Sequence, residues 1–269
     1  MKEALEDDFR WVLRKAMKGR GMAPSEVAER AGVPKEEMLA SSRGRFSAEL
    51  ARKVAPVLGW NPEALATLPG YCPQVSLPPG LVRHAVPFDD GFVNAWLLRG
   101  EDAAVLVDAG PGPAALLRFL EDDGAAFARG LEVFVTHPHG DHIGGLPALR
   151  GIFHRLHAPE NARLPGRIAC RPGEVLETPP FCVRILDLDG HWPGAVGFFI
   201  EGLETPVCAV GDALFAGSVG GTPDTGRHRI ALERIRGEIL SLPAATILLP
   251  GHGPPTTVAL ERRHNPFFP

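Results

Sequence analysis

The segment THPHGDHIGG, residues 136 to 145, constrains this chain more than any other feature. Directly after the apolar run LEVFV it places four side chains of metal-binding types within six positions: His137, His139, Asp141 and His142. Pro138 favours an extended conformation at His137, in which alternate side chains point the same way, so His137 and His139 can bind one ion. Asp141 and His142 begin a turn and can face a second ion about 3.5 Å away. Imidazole and carboxylate groups together suit Zn, Fe or Mn.

From residue 81 onward, short apolar runs rich in β-branched residues alternate with Gly and Pro turns. The candidate strands are 92–98, 103–108, 131–136, 152–158, 181–188, 195–201, 206–210 and 245–250. Helical spacing is found in 113–123, 144–150 and 227–242. Several strands are apolar on both faces and must be covered on both sides, which predicts a mixed α/β domain.

The first seventy residues have a different character and predict an all-α unit. Short helical patterns follow one another, with Gly32 as a stop, Ser47 and Asn61 as N-caps and Pro62 at a first helical position. Residues 1 to 70 carry a net charge of +2 and residues 71 to 269 a net charge of −6, and every lysine lies at or before Lys53. The Pro-rich stretch PGYCPQVSLPPG contains the expected linker. We therefore expect a helical domain at 1–70, a linker at 71–80 and a larger domain at 81–269.

The helix order across residues 20 to 68 resembles the Cro/repressor-like helix-turn-helix domains. A sequence-specific DNA-binding domain should present Arg, Gln or Asn to the DNA bases from the second helix of the pair. This helix instead has Glu36 and Glu37 in its first turn. Lys35, Arg43 and Arg45 could still contact a phosphate backbone. We favour a helical cap on the larger domain and keep a DNA-binding regulator with a metal sensor domain as an alternative.

The HxHxDH pattern after a strand resembles the metal-binding motif of the metallo-β-lactamase superfamily. Members of that family have three further ligands, a His, a bridging Asp and a last His, each following a later strand. The matching residues here are His191 in GHWPG, Asp212 in GDALF and His252 in GHGP. The C-terminal GPPTTVALERRHNPFFP and the segment APENARLPG resemble short glyoxalase-II-like members. The resemblance covers about residues 81 to 269 and implies the αβ/βα sandwich of the family.

The resemblance also implies a role for each site residue. His137, His139 and His191 would hold one ion, Asp141, His142 and His252 a second, and Asp212 would bridge the two. Asp108, which ends the run AVLVD, matches an early family Asp that supports the metal loop by hydrogen bonding without binding metal. We expect two divalent ions, Zn first and Fe or Mn as alternatives, and a catalytic role for Asp141 in orienting the nucleophile or accepting its proton. The substrate-binding residues are not predicted.

The expected activity is that of a binuclear metal-dependent hydrolase in which a metal-bound hydroxide attacks a carbonyl. The nearest family activity is cleavage of a glutathione thioester, as in glyoxalase II, or of a related ester. The chain has Asp212 where common β-lactamases have Cys, so the resemblance does not imply antibiotic hydrolysis. It has Gly221 where short relatives often have Arg, so the resemblance does not imply glutathione recognition either. A lactonase and a mononuclear iron persulfide dioxygenase are the enzymatic alternatives.

The amino-acid composition predicts the location of the protein and the kinds of partner it binds. Of 269 residues, 45% are hydrophobic, so the chain can bury a large core. The charged start MKEALEDDFR and the absence of an apolar run near 20 residues predict a cytoplasmic protein without membrane partners. Four cysteines lie without a CxxC pair, as expected of reduced thiols. We expect a small-molecule substrate, no nucleic-acid partner and, as an open possibility, a homo-oligomer.

Overall fold

In the computed structural model, which describes residues 3–89, 91–101, 103–123 and 130–269, the chain begins with helices. These are α1 (Phe9–Arg20), α2 (Pro24–Ala31), α3 (Lys35–Ser42), α4 (Ala48–Leu58) and α5 (Pro62–Thr67), followed by a 3-10 turn at Leu68–Gly70. The predicted caps are confirmed, because the Ser47 and Asn61 side chains accept hydrogen bonds from first-turn amides and Gly32 ends α2 in the left-handed region. Residues 71–80 form neither helix nor strand.

A first sheet of six strands follows, and its strands lie side by side in chain order. They are β1 (Leu81–Phe88), β2 (Gly91–Arg99), β3 (Ala104–Val107), β4 (Leu131–Phe134), β5 (Phe153–Pro159) and β6 (Ile168–Cys170). The first three strands pair antiparallel, whereas β3 to β6 pair parallel. The ends of β3 and β4 therefore lie at the same edge of the sheet.

The second six-stranded sheet has the order β14-β13-β10-β9-β8-β7. Its strands are β7 (Val175–Thr178), β8 (Phe181–Asp187), β9 (Val196–Glu201), β10 (Val207–Gly211), β13 (Ile247–Pro250) and β14 (Thr256–Thr257). A small ribbon of β11 (Leu214–Phe215) and β12 (Ser218–Val219) follows β10. The neighbours β10 and β13 pair parallel, so they too end at one edge.

Four more helices complete the described chain: α6 (Pro113–Asp123), α7 (Gly140–Ile143), α8 (Thr225–Arg234) and α9 (Val258–His264). The predicted helix at 144–150 is wrong, because the chain forms α7 earlier and then only a 3-10 turn at Leu146–Leu149. The helix predicted at 227–242 is instead α8 followed by a π-helical turn at Ile235–Ile239. None of the helices described combines the length and apolar composition needed to span a bilayer.

Three apolar clusters show how the layers pack. One lies between the two sheets and contains Trp96, Phe134 and Phe198. A second lies under α6 on the outer face of the first sheet. The third joins helices α1 to α5 to the outer face of the second sheet, where the rings of Trp60 and Phe267 lie 4.0 Å apart. The N-terminal helices and the second sheet therefore share a core, and the two sheets form the inner layers of an α/β sandwich.

Candidate metal centre

The seven predicted ligands all lie just beyond strand ends, at one edge of the sandwich. His137 to His142 follow β4, His191 follows β8, Asp212 follows β10 and His252 follows β13. Two backbone hydrogen bonds join the sheets at this edge: Val196 N–H donates to the Thr136 carbonyl at 3.1 Å, and Asn94 N–H donates to the Gly251 carbonyl at 2.7 Å. The strands thus bring together side chains that are more than a hundred residues apart in sequence.

The first group consists of His137, His139, His191 and Asp212, whose ligand-type atoms all lie within 4.8 Å of one another. His139 Nδ1 lies 2.9 Å from His137 Nε2 and 3.1 Å from His191 Nε2. Asp212 Oδ2 completes the group at 3.6 Å from His191 Nε2 and 3.9 Å from His137 Nε2. Three imidazole nitrogens and one carboxylate oxygen therefore converge on a single point.

The second group consists of Asp141, His142 and His252, again within 4.8 Å. His252 Nε2 lies 3.2 Å from Asp141 Oδ2, and His142 Nε2 lies 3.7 Å from the same oxygen. Asp212 also reaches this group, with Oδ1 at 3.3 Å from His142 Nε2 and Oδ2 at 3.6 Å from His252 Nε2. The Asp212 carboxylate is thus in contact with both groups.

The surrounding protein fixes which ring nitrogen each histidine presents to the centre. His142 Nδ1 donates to Asp108 Oδ2 at 2.8 Å, and His191 Nδ1 donates to the Gly221 carbonyl at 2.7 Å. His252 Nδ1 donates to the Phe92 carbonyl at 3.1 Å. Because these acceptors carry no proton, each Nδ1 carries the hydrogen, so in the neutral imidazole the lone pair is on Nε2, which faces the cluster.

Thr136 sets the orientation of His137 through a short relay. Its hydroxyl donates to Asp108 Oδ2 at 2.8 Å and can therefore only accept from His137 Nδ1, which lies 3.0 Å away. The Thr136 amide donates to the other Asp108 oxygen at 2.8 Å. Asp108 thus holds His137 indirectly and His142 directly, which is the hydrogen-bonding position predicted for it.

Burial and charge perturb the titration of the centre. Burial lowers the pKa of His137 well below its ordinary value and lowers the pKa of His139 as well, so both favour the neutral form. Burial opposes the charged form of His142, but Asp212 and Asp108 outweigh it and raise the pKa of that imidazole well above its usual range. Burial would also raise the pKa of Asp212, yet His142 and its other histidine neighbours lower it strongly. The Asp212 and Asp108 carboxylates thus favour the positively charged form of His142.

The residues present fit a pair of divalent cations on three observations. The donor set is imidazole nitrogen and carboxylate oxygen, which suits Zn, Fe or Mn. Among the described residues, His142 Nε2 and Asp212 Oδ1 are buried and lie 3.3 Å apart, yet neither has a hydrogen bond of good geometry. Gly251 leaves room for both, because a Cβ there would lie 2.2 Å from Asp212 Oδ1 and 2.6 Å from His142 Cε1.

A further ion pair holds the loop that carries His191. Asp189 accepts hydrogen bonds from the Gly194 amide at 2.8 Å and from Arg227 at 2.7 and 2.8 Å. The ring of Trp192 lies edge-on to that of His139, with ring centres 4.9 Å apart, so this side chain forms a wall of the centre. Arg227 is thus paired with Asp189.

The sequence did not single out Thr136 or Asp189, although each stands within two positions of a predicted ligand. It also did not indicate that the N-terminal segment lies beside His252 and Gly253. A Cβ at Gly253 would be 3.1 Å from the Glu6 backbone nitrogen and 3.2 Å from Glu6 Cβ. Such contacts join opposite ends of the chain and leave no local pattern.

The sequence of this chain is similar to those of known proteins. Residues 88–163 match the model of the metallo-β-lactamase superfamily. The chain is 31% identical to the probable metallo-hydrolase YqgX of Bacillus subtilis, a match covering 65% of this chain and 92% of that protein. It is also 31% identical to the hydroxyacylglutathione hydrolase GloC of Haemophilus influenzae, over 62% of this chain and 88% of that protein.

A solved structure extends the comparison to the fold. The crystal structure of the BLEG-1 B3 metallo-β-lactamase aligns with a TM-score of 0.59 at 29% identity, covering 69% of this chain and 99% of that one. These three relatives align over most of their own length and over about two thirds of this chain.

Proposed function

The chain belongs to the metallo-β-lactamase superfamily and has its α/β sandwich fold, and on that basis we propose that it is a binuclear metal-dependent hydrolase of a thioester or a related ester. The observation that carries the proposal is the Asp212 carboxylate, which lies within 3.9 Å of His nitrogens in both groups. A carboxylate in that position can join two cations into one reactive centre.

The ligand assignment follows the two groups of the structure. His137, His139 and His191 would hold one ion, Asp141, His142 and His252 the other, and Asp212 both. Divalent ions at such a centre polarise a carbonyl and lower the pKa of a coordinated water toward 7. Zn is the first candidate for these ligands, and Fe and Mn are the alternatives.

Asp141 is the residue to which we assign proton handling. Burial would raise its pKa, but the hydrogen bond from His252 and the charge of His142 lower the pKa overall. The carboxylate is therefore ionised at neutral pH, and its side chain keeps 13% of its surface exposed. An ionised carboxylate beside the nucleophile can orient an attacking water and accept its proton.

Two relatives and the side chains of the candidate metal centre together support the proposed substrate class of esters or thioesters. The GloC relative carries the name hydroxyacylglutathione hydrolase, and YqgX is named a probable metallo-hydrolase. Hydrolysis of an activated acyl bond needs a polarised carbonyl, an activated water and a proton acceptor, and the centre offers residues for each part.

A substrate panel with two variants tests this function. The metal-loaded protein is assayed against acyl thioesters of glutathione and of smaller thiols, a lactone and a β-lactam. We expect thioester or ester hydrolysis, and an Asp141→Ala variant should lose at least about a hundredfold in kcat/KM. His154→Ala changes an exposed histidine outside the centre and should keep the activity. Absence of acyl hydrolysis in the loaded protein, or full activity of Asp141→Ala, would overturn the proposal.

A further inference from the structure

A cleft of about 410 Å³ opens beside the candidate metal centre, on the side of His252. Three parts of the chain line it: the N-terminal segment Glu3–Asp7 with Trp11, the end of β1 with Asp89 and the start of β2, and the loop after β13. His252 belongs both to this lining and to the second group of the centre, where its Nε2 lies 3.2 Å from Asp141. Among the described residues, His252 is the candidate ligand that the cleft and the centre share, so the two adjoin at this imidazole.

The N-terminal wall of the cleft is held at both ends. Near its start, Glu3 pairs with Arg83 at 2.6 Å, and Arg83 also donates to the Gly253 carbonyl at 2.8 Å. Near its end, the buried Asp7 accepts a hydrogen bond from Ser218 at 2.5 Å and pairs with Lys15. Glu6 lies between these two anchors, so its backbone is fixed relative to His252.

The carboxylate of Glu6 is partly buried in this wall: burial raises its pKa, and the nearby charges of His252 and Lys15 act in the opposite direction. Its Oε2 lies 3.4 Å from where a Cβ on Gly91 would stand, so it approaches the start of β2. Within the described ranges, Glu3 and Asp7 have basic partners, whereas Glu6 has no ion pair. The described lining contains four acids, Asp89 being the fourth, and no Lys or Arg.

Aromatic side chains supply the rest of the lining. Phe92 is 50% exposed and Trp11 44% exposed, unusual values for large apolar residues, and Phe88 lies beside them. The guanidinium groups of Arg10 and Arg14 lie 5.1 and 5.3 Å from the Trp11 ring, but neither residue lines the cleft. An unpaired carboxylate next to exposed aromatic faces is a setting that favours an apolar group carrying a positive charge.

We propose that this cleft receives the end of the substrate next to the reacting acyl bond, and that Glu6 selects a cationic or neutral apolar group there over an anionic one. The inference rests on the proposed hydrolase function and narrows its substrate class. An acyl derivative of an amine-bearing thiol or alcohol fits the cleft. Glutathione, with two carboxylates and one ammonium group, fits it poorly because its net negative charge faces Glu6.

Direct binding tests the selection without relying on turnover. Three non-hydrolysable S-benzyl thioethers that differ in one end group are titrated: S-benzylcysteamine, its neutral N-acetyl form and the anionic 3-(benzylthio)propionate. Tryptophan fluorescence reports occupancy, because Trp11 lies in the lining, and a Trp11→Phe variant should lose most of the signal. We expect the cationic probe to bind roughly three- to tenfold tighter than the neutral one, and the anionic probe to bind weaker by a similar factor.

Matched variants assign the effect to Glu6. Glu6→Gln keeps the shape of the side chain and should bring the three dissociation constants to within about twofold. Asp89→Asn removes an exposed acid of the same lining and should have a smaller effect, because an exposed charge is screened. Glu29→Gln, on the exposed face of α2, should leave all three constants unchanged.

The outcomes separate this inference from the proposed function. Equal binding of the cationic and anionic probes, failure of all three to bind, or no effect of Glu6→Gln would overturn the role of Glu6. Hydrolysis of acylglutathione at least as fast as hydrolysis of the amine-bearing thioester would overturn the selection and leave the hydrolase intact. Charge-selective binding without any acyl hydrolysis would support the cleft and reject the hydrolase.

Discussion

Asp108 accepts a hydrogen bond from His142 Nδ1 at 2.8 Å, with both side chains buried. The contact connects the end of β3 to the helix α7 that follows β4. Because the same carboxylate also holds Thr136, it determines the orientation of two candidate ligands at once.

Replacing Asp108 by Asn should weaken metal binding. The backbone at Asp108 has φ of 58°, which Asn tolerates, so the change acts mainly on hydrogen bonding. Asn has one acceptor oxygen fewer than Asp and no charge. Changes in groups that hydrogen-bond to metal ligands reduce metal affinity by about 10- to 100-fold. Competition with a fluorescent chelator measures the effect. Asp122→Asn, exposed on α6, is the control; equal affinity in both variants would contradict the assigned role.

Gly251→Ala should disrupt the candidate centre by steric conflict. The new methyl group would lie 2.2 Å from Asp212 Oδ1, so the carboxylate has to move away from His142. We expect at least about tenfold weaker metal binding, comparable with the loss of a supporting contact. Gly237→Ala meets no atom within 4 Å and should bind metal normally. Unchanged affinity in Gly251→Ala would show that the Asp212 position is not needed.

Gly19→Ala should weaken the packing of α1 against α8. A Cβ at Gly19 would lie 2.3 Å from His228 Cδ2, inside a buried contact. Overpacking of this kind lowers the free energy of unfolding by about 1 to 3 kcal/mol. Urea unfolding measures it, with Gly70→Ala, which meets no neighbour within 4 Å, as the matched variant. Equal stability of the two variants would argue that α1 does not pack on α8.

Acid should destabilise the protein partly through His228. Burial, with a smaller effect of Arg20, lowers the pKa of this imidazole to about 4, below its unfolded value near 6.5. The unfolded chain therefore binds the proton first, and stability is lost as pH falls from about 6.5 to 4, by about 2 to 3 kcal/mol. Urea unfolding across that range should show a smaller loss for His228→Gln. Parallel curves for both proteins would exclude this contribution.

The seven candidate ligands could be named from the sequence because each stands in a short motif directly after an apolar strand, and the structure brings them together in two groups. Their division into two groups follows from strand pairing, since β10 and β13 end side by side while β4 delivers His137 from the other sheet. The helix predicted at 144–150 fails for a tertiary reason: Gly144 and Gly145 pack tightly against the carbonyls of Pro111 and Ala109.

Other features of the structure have no recognisable pattern in the local sequence. Strands β11, β12 and β14 have two residues each, too few for an alternating pattern to be recognised. The approach of Glu6 to Gly253 depends on the packing of α1, which the sequence did not single out as a helix. Long-range contacts of this kind follow from how whole layers pack, and the cleft beside His252 could therefore be found only in the structure.

Metal content per chain tests the central claim most directly. The wild-type protein and an Asp212→Ala variant are loaded with Zn, freed of excess metal and measured by elemental analysis, with His154→Ala as the control. We predict two ions per chain for wild type and for the control. We predict at most one for Asp212→Ala, because that side chain contacts both groups. Fewer than two ions in the loaded wild type, or two retained by Asp212→Ala, would contradict the binuclear centre.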